Sequence, residues 1–235
     1  MTGLPAPPPM RAEASLARRG RSAALAGILL ALASCGAESR YQGRTLAEWQ
    51  SDVEHGSPEL RTRAVEVLGR AGLRAVPVLV QALRDPETDV RRRAIQALGR
   101  FGPMAQEAVP RLAAASRDPD PDVRVAAAEA LGQIGGADEA VPALIAALED
   151  PHPDVRSSSA LALGRIGPAA KAAVPALIAS LSDAHLAVRS AAALTLGRIG
   201  PEAAAAVPAL TRALHDPRPL VRSVADEALR HIDAL

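Results

Sequence analysis

Aromatic side chains are nearly missing from this chain of 235 residues, which has one Trp, one Tyr and one Phe. That scarcity excludes an aromatic base-stacking platform and an aromatic-lined sugar site. Lysine occurs only at Lys171, so positive charge is carried by arginine. Cysteine occurs only at Cys35, which leaves the rest of the chain without a thiol for a disulfide or a redox centre. An excess of charge of one sign is also lacking. Setting aside Arg11, Arg18, Arg19, Arg21 and Glu13 of the first 35 residues from 27 basic and 26 acidic leaves 23 and 25, a balance of −2. A nucleic-acid binder would show a basic surplus. The sequence contains no H-E-x-x-H, no G-x-S-x-G and no phosphate loop. A chain with no catalytic site, no metal and no cofactor is expected.

Hydrophobic residues make up 49% of the chain. With so few aromatics, alanine, leucine and valine must do the packing, which suits closely spaced helices with small contacts.

The first segment reads as a leader. Arg18, Arg19 and Arg21 precede an apolar run from Ala23 to Ala33, which ends in Leu32-Ala33-Ser34-Cys35. The run is short for a transmembrane helix, which needs about 20 apolar residues. Leu-Ala-Ser-Cys resembles the bacterial lipobox. The resemblance implies cleavage before Cys35, a diacylglyceryl group on its thiol and a fatty acyl chain such as palmitate on its amine. Gly36 stands where Asp would signal inner-membrane retention, so the resemblance implies an outer-membrane lipoprotein. Two or three chains give stable anchoring. Residues 1–34 are then a signal peptide and 35–44 the lipidated Cys with its tether. The stretch after Cys35 reaches at most ~30 Å.

From Thr45 onward the chain repeats. "DVRRRAIQALGRFG", "DVRVAAAEALGQIG", "DVRSSSALALGRIG" and "AVRSAAALTLGRIG" share one frame, and its arginines are Arg61, Arg91, Arg124, Arg156, Arg189 and Arg222. A period near 33 residues marks a solenoid. Each unit reads as two helices. The first opens near a proline (Pro77, Pro110, Pro142, Pro175 or Pro208), tolerated in a first turn because its missing N–H has no partner there. The second carries Glu59, Asp89, Asp122 or Asp154 in its first turn and ends at Leu-Gly-x-x-Gly. Val123, Ala127, Leu131 and Ile134 fall on one buried face. Thr45 and Glu48 form a capping box, and Trp49 is placed to plug the open end of the stack. The last unit departs from the frame, with Arg230 in place of Gly.

The Asp…Val-Arg…Ala…Leu-Gly frame resembles the short HEAT repeats of bacterial lipoproteins and of phycobilisome-lyase-type proteins. The expected fold is all-α, an α-solenoid of about six HEAT-like helix pairs over 45–235. Its units lie near 45–72, 73–102, 103–135, 136–167, 168–200 and 201–233.

Asp85, Asp118, Asp150, Asp183 and Asp216 each precede a frame arginine (Arg91, Arg124, Arg156, Arg189 and Arg222) by six residues. A residue repeated in every unit serves the unit. These pairs are therefore read as struts that tie the turn and link adjacent repeats, as the family resemblance also implies. In Gly-x-x-Gly the second glycine is a helix stop and the first permits close packing. His152 and His185 occupy equivalent turns without further ligands and read as solvated.

The exposed face of the second helices remains for function. One column is Glu66, Gln96, Glu129, Leu161, Leu194 and Glu227; the next is Arg70, Arg100, Gln133, Arg165, Arg198 and His231. Ser157, Leu161, Arg165, Ser190, Leu194 and Arg198 thus combine an apolar centre with arginines, as protein-binding hot spots do. The expected function is a non-catalytic, membrane-tethered scaffold binding a protein partner of the cell envelope, with no nucleic acid. The alternative is a bilin lyase-like, chromophore-handling protein, resting on repeat resemblance alone.

Overall fold

The computed structural model describes residues 40–233; residues 1–39, on which the expected leader and lipidation site Cys35 fall, and residues 234–235 lie outside the described residues. The described chain is a stack of six helix pairs. They are α1 (Leu46–His55) with α2 (Pro58–Leu68), α3 (Val76–Ala82) with α4 (Thr88–Arg100), and α5 (Val109–Ala115) with α6 (Pro121–Ile134). Then follow α7 (Ala137–Ala147) with α8 (Pro153–Ile166), α9 (Val174–Ser180) with α10 (Leu186–Ile199), and α11 (Val207–Ala213) with α12 (Pro219–Ile232). Among the described residues the only β feature is an isolated bridge between Tyr41 and Arg44. The all-α solenoid expected from the period is the fold.

One pair cannot bury its own apolar face, so the core is continuous through the stack. Leu79, Leu112, Leu144, Leu177 and Leu210 of the first helices are fully buried. They face a second ladder of Leu68, Leu98, Leu131, Leu163 and Leu196, equally buried. Val123, Ala127, Leu131 and Ile134 lie inside as the spacing predicts.

Both glycines of Gly-x-x-Gly act as read. A Cβ on Gly132 would stand 2.7 Å from the Cα of Ala162, so α6 and α8 meet backbone to backbone. Gly167 has φ 74°, a left-handed angle that ends α8. The stretch Pro153–Ser180 is long and apolar enough for a membrane span by composition, but Gly167 breaks it into α8 and α9. Successive second helices pack along their length. Successive first helices meet largely through the 3₁₀ turns at Gly102–Ala108, Gly167–Ala173 and Gly200–Ala206. The second helices thus line one side of the array, termed its inner face.

Proline opens α3, α5, α9 and α11 as expected. Pro142 departs from the rule, because it sits inside α7. The stretch from Gly135 to Pro142 is one residue shorter than that from Gly167 to Pro175. Gly136 follows where three other units have a proline (Pro103, Pro168 and Pro201), and its φ of 80° starts a helix directly at Ala137. The 3₁₀ turn is replaced by an extra helical turn with Asp138 and Glu139 at its N-terminus.

The ends of the stack are capped. Thr45 and Glu48 complete their capping box. Trp49 is 2% exposed; its Nε1 donates to the Tyr41 carbonyl at 2.8 Å and the Arg44 guanidinium lies 4.5 Å over its ring. Tyr41–Arg44, expected as tether, is thus a turn folded onto α1. At the other end Asp226 replaces the buried Val65, Ile95, Ala128, Ala160 or Ala193 of the other units, and it pairs with Arg230 in the glycine position.

The struts require a correction. Arg91 does not pair with the side chain of Asp85, six residues earlier; it makes a bidentate pair with Asp118 of the next repeat at 2.8 and 2.9 Å. Likewise Arg124 pairs with Asp150, Arg156 with Asp183 and Arg189 with Asp216, and Arg61 joins the series by pairing with Asp85. Within its own repeat each arginine from Arg91 to Arg222 uses Nη1 on the aspartate's backbone carbonyl, as Arg124 does on Asp118 at 2.9 Å and Arg222 on Asp216 at 2.9 Å, while Arg61 uses it on the Gly56 carbonyl. A guanidinium offers two donor edges. In Arg61, Arg91, Arg124, Arg156 and Arg189 one edge closes the turn and the other crosses to the next repeat, so these five struts are also inter-repeat clasps. Each carboxylate further accepts a turn N–H, for example His152 N–H on Asp150 at 2.8 Å.

Burial opposes ionisation of Asp118, Asp150 and Asp183, but the arginine and the turn N–H outweigh it and hold these carboxyls below the usual range. For Asp216 the Arg189 hydrogen bond leads the same lowering. A carboxyl depressed in the folded state contributes stability that is complete above its unfolded pKa and lost as pH falls through the folded one. Urea midpoints should therefore hold from neutrality to about pH 5 and fall steeply below about pH 4. A midpoint at pH 3 equal to that at pH 7 would show that the struts carry no charge-dependent stability.

Candidate functional site

The inner face is built from one side of α2, α4, α6, α8, α10 and α12, and its character changes along the array. Glu66, Gln96, Glu129 and Glu227 of the first column are exposed, while Leu161 and Leu194 are partly covered. Leu161 leans on the core cluster. The two leucines are therefore neither lost to the core nor isolated on the surface.

They belong to a groove of about 420 Å³ across α8, α10 and α12, into which Ser157, Ser190, Leu186, Leu220 and Val224 also turn. Leu220 is 54% exposed. Ser157 Oγ donates to the Asp154 carbonyl at 3.1 Å and Ser190 Oγ to the Ala187 carbonyl at 3.2 Å, so both hydroxyls are engaged on their own helices. Sequence reasoning missed Leu186, Leu220 and Val224. The signal was there: Ala187 and Leu220 stand where the other units carry Glu59, Asp89, Asp122 and Asp154, and Leu186 stands where three of them have a proline. The acidic first turn is lost in the last two repeats, and apolar surface replaces it.

The opposite end of the face is polar. Glu66, Arg70, Arg93, Gln96, Arg100 and Phe101 line a hollow of about 590 Å³. Arg93 spans Asp89 at 2.7 Å and Glu66 on the neighbouring helix. Its hydrogen bond holds the Asp89 carboxyl below the usual range. Among the described residues Arg70, Arg100, Arg165 and Arg198 meet no carboxylate; all four are exposed along one edge of the face.

His152 caps α8 and lies 3.7 Å from Asp154, whereas His185 caps α10 and is exposed. Among the described residues no group of three His, Cys, Asp or Glu is placed to hold a metal ion.

Stacked helix pairs with a tight inner face define the class of α-solenoids. The HEAT-repeat family model matches residues 46–118, 76–150, 109–173 and 141–230, together most of the chain. The chain belongs to the HEAT-repeat family. No curated protein is a significant match by sequence. Among solved structures it is similar to an engineered protein at 23% identity, with 80% of this chain and 96% of that chain covered and a TM-score of 0.65. A second is the complex of CpcE and CpcF of phycocyanin lyase from Nostoc sp. PCC7120, at 28% identity, 80% and 77% coverage and a TM-score of 0.58. A third is a designed armadillo repeat protein at 18% identity, 80% and 100% coverage and a TM-score of 0.56.

Proposed function

We propose that this chain is a non-catalytic scaffold, held at a bacterial membrane through a lipid on Cys35, that seats a protein partner on its inner face. The observation that carries the reading is the groove around Leu161 and Leu194. Five apolar side chains from three successive second helices converge there, on a face that is otherwise polar. Repeat arrays concentrate binding on such extended inner surfaces, and apolar centres with arginines at the rim are favoured at protein interfaces. The basic flank, apolar run and Leu-Ala-Ser-Cys of the leader support the tether and an outer-membrane address.

The test is capture of the C-terminally tagged full chain from gently solubilised membranes. Leu161→Asp with Leu194→Asp is expected to deplete the specifically captured envelope protein at least about ten-fold, since each charge would be desolvated on binding. Circular dichroism should be unchanged, because neither leucine is fully buried. Undiminished capture by the doubly charged, folded variant would sink the groove as the binding surface. Cys35→Ala should release the chain from membranes.

The likeness to a phycocyanin lyase complex favours a second reading, a chromophore-handling protein. Visible absorbance appearing on incubation with a bilin and an acceptor protein would select it, and no absorbance would leave the scaffold.

A further inference from the structure

We infer that the occupant of the groove is an amphipathic helix with leucine-like residues on one face and carboxylates along one flank. This deepens the scaffold reading and rests on it. Three observations fix the chemistry. The first is polarity across the groove. Arg165 and Arg198 stand exposed one helical turn beyond Leu161 and Leu194, outside the groove's own lining and without a carboxylate partner among the described residues, while the other flank carries Asp154, the satisfied hydroxyls of Ser157 and Ser190 and, at the start of α12, Arg218. An occupant lying there desolvates two guanidinium groups in step with the two leucines on one flank, against a single one, Arg218, at the corner of the other. Carboxylates satisfy them, preferably in bidentate fashion, and cations would be repelled.

The second is the limit of the apolar stretch. Glu129 precedes Leu161 in its column and Glu227 follows Leu194, so the column is apolar for two repeats and then closes at both ends. Leu186, Leu220 and Val224 widen it alongside. The occupant is thus short, with a bounded apolar face, unlike a long extended chain running the whole array.

The third is register. Successive second helices of a packed array lie about 8–10 Å apart, within a residue or two of one heptad. A helix presents the same side every seven residues, a rise of about 10.5 Å. One apolar heptad position therefore falls beside Leu161 and the next beside Leu194. The same period sets successive carboxylates against Arg165 and Arg198. A helix of about fifteen residues, ~22 Å long, covers the groove.

Anisotropy titrations of the full chain with labelled synthetic helices test this. The probe has leucines at heptad spacing and glutamates along one flank; its control carries lysines in place of the glutamates. The glutamate probe should bind at least ten-fold more tightly than the lysine control. Arg165→Glu with Arg198→Glu should reverse that preference, and Leu161→Asp with Leu194→Asp should abolish binding of both. Equal binding of the two probes, or a preference indifferent to the arginine reversal, overturns the acidic-helix assignment. If the leucine pair still governs capture of the envelope protein in that case, the scaffold reading stands. Undiminished probe binding by the leucine variant overturns the helix assignment, and undiminished capture of the envelope protein by the same variant would sink the scaffold reading with it. Anionic phosphatidylglycerol vesicles form the last arm: arginine-dependent vesicle binding without probe binding overturns the helix and assigns the flank to lipid.

Discussion

Gly132→Val is expected to destabilise the array by about 3 kcal/mol, the upper end for overpacking a filled interface. A Cβ at Gly132 would lie 2.7 Å from the Cα and 3.2 Å from the carbonyl oxygen of Ala162. Both are backbone atoms, so relief requires α6 and α8 to separate. The neighbouring ladder of Leu131 and Leu163 would then lose contact as well. Gly99→Ala is the internal control. Its Cβ would meet the Gln133 side-chain oxygen at 2.4 Å, which can swing away, and the Cα and Cβ of Ala130 at 3.2 Å, a tight contact that a small shift relieves. The helix propensity gained, up to about 1 kcal/mol, offsets most of that cost. In a nearest-neighbour array a weakened interface also decouples the halves on either side. Urea unfolding of the valine variant should therefore shift to lower midpoint and broaden, while Gly99→Ala stays within about 0.5 kcal/mol of the parent. Equal, sharp transitions for both variants would show that the glycine column does not set the inter-repeat distance.

The contrast between these two glycines shows what a sequence can and cannot disclose in a repeat protein. Gly-x-x-Gly and the leucine ladders recur in register, so their role follows from recurrence alone. Whether one glycine faces backbone or a flexible side chain depends on its neighbour in the next layer, which recurrence averages away. The struts are the clearer case. Asp118 lies 27 residues after Arg91, whereas Asp85 lies six before it. Both spacings recur along the chain, so periodicity cannot rank them. The stagger of successive layers decides, and it turns the guanidinium edge toward the following repeat. Pro142 was misplaced for a local reason, a one-residue deletion that exchanged a 3₁₀ turn for helix. Leu161 and Leu194 were legible as departures from a polar column. Leu186, Leu220 and Val224 sit in other columns of the frame, and only the folded stack brings all five into one groove.

The cross-repeat clasp carries the second large effect. Asp150→Ala is expected to destabilise the array by about 3 kcal/mol, the range for stripping one partner from a mostly buried pair. The Asp150 carboxylate takes Arg124 Nε at 2.7 Å, Arg124 Nη2 at 2.9 Å and the His152 N–H at 2.8 Å. The side chains of Arg124 and Asp150 are only 13% and 9% exposed. Removing the carboxylate leaves a guanidinium edge and a turn N–H without partners in a place water reaches poorly. Asp226→Ala, which breaks the exposed pair with Arg230, should cost no more than about 0.5 kcal/mol by contrast. A double-mutant cycle separates the cross-repeat pairing from one inside the repeat. Arg124→Ala with Asp150→Ala should show a coupling of about 1–2 kcal/mol. Arg156→Ala with Asp150→Ala should couple far less, because Arg156 reaches only the Asp150 carbonyl, at 2.8 Å, and alanine keeps that carbonyl. Dominant coupling to Arg156 would place the clasp inside the repeat and contradict the stagger of the layers. Dominant coupling to Arg124 would make each repeat dependent on the one after it. Arg222 meets only the Asp216 and Pro217 carbonyls among the described residues, and its helix carries the exposed pair Asp226 and Arg230 where the preceding units have a buried apolar residue and a glycine.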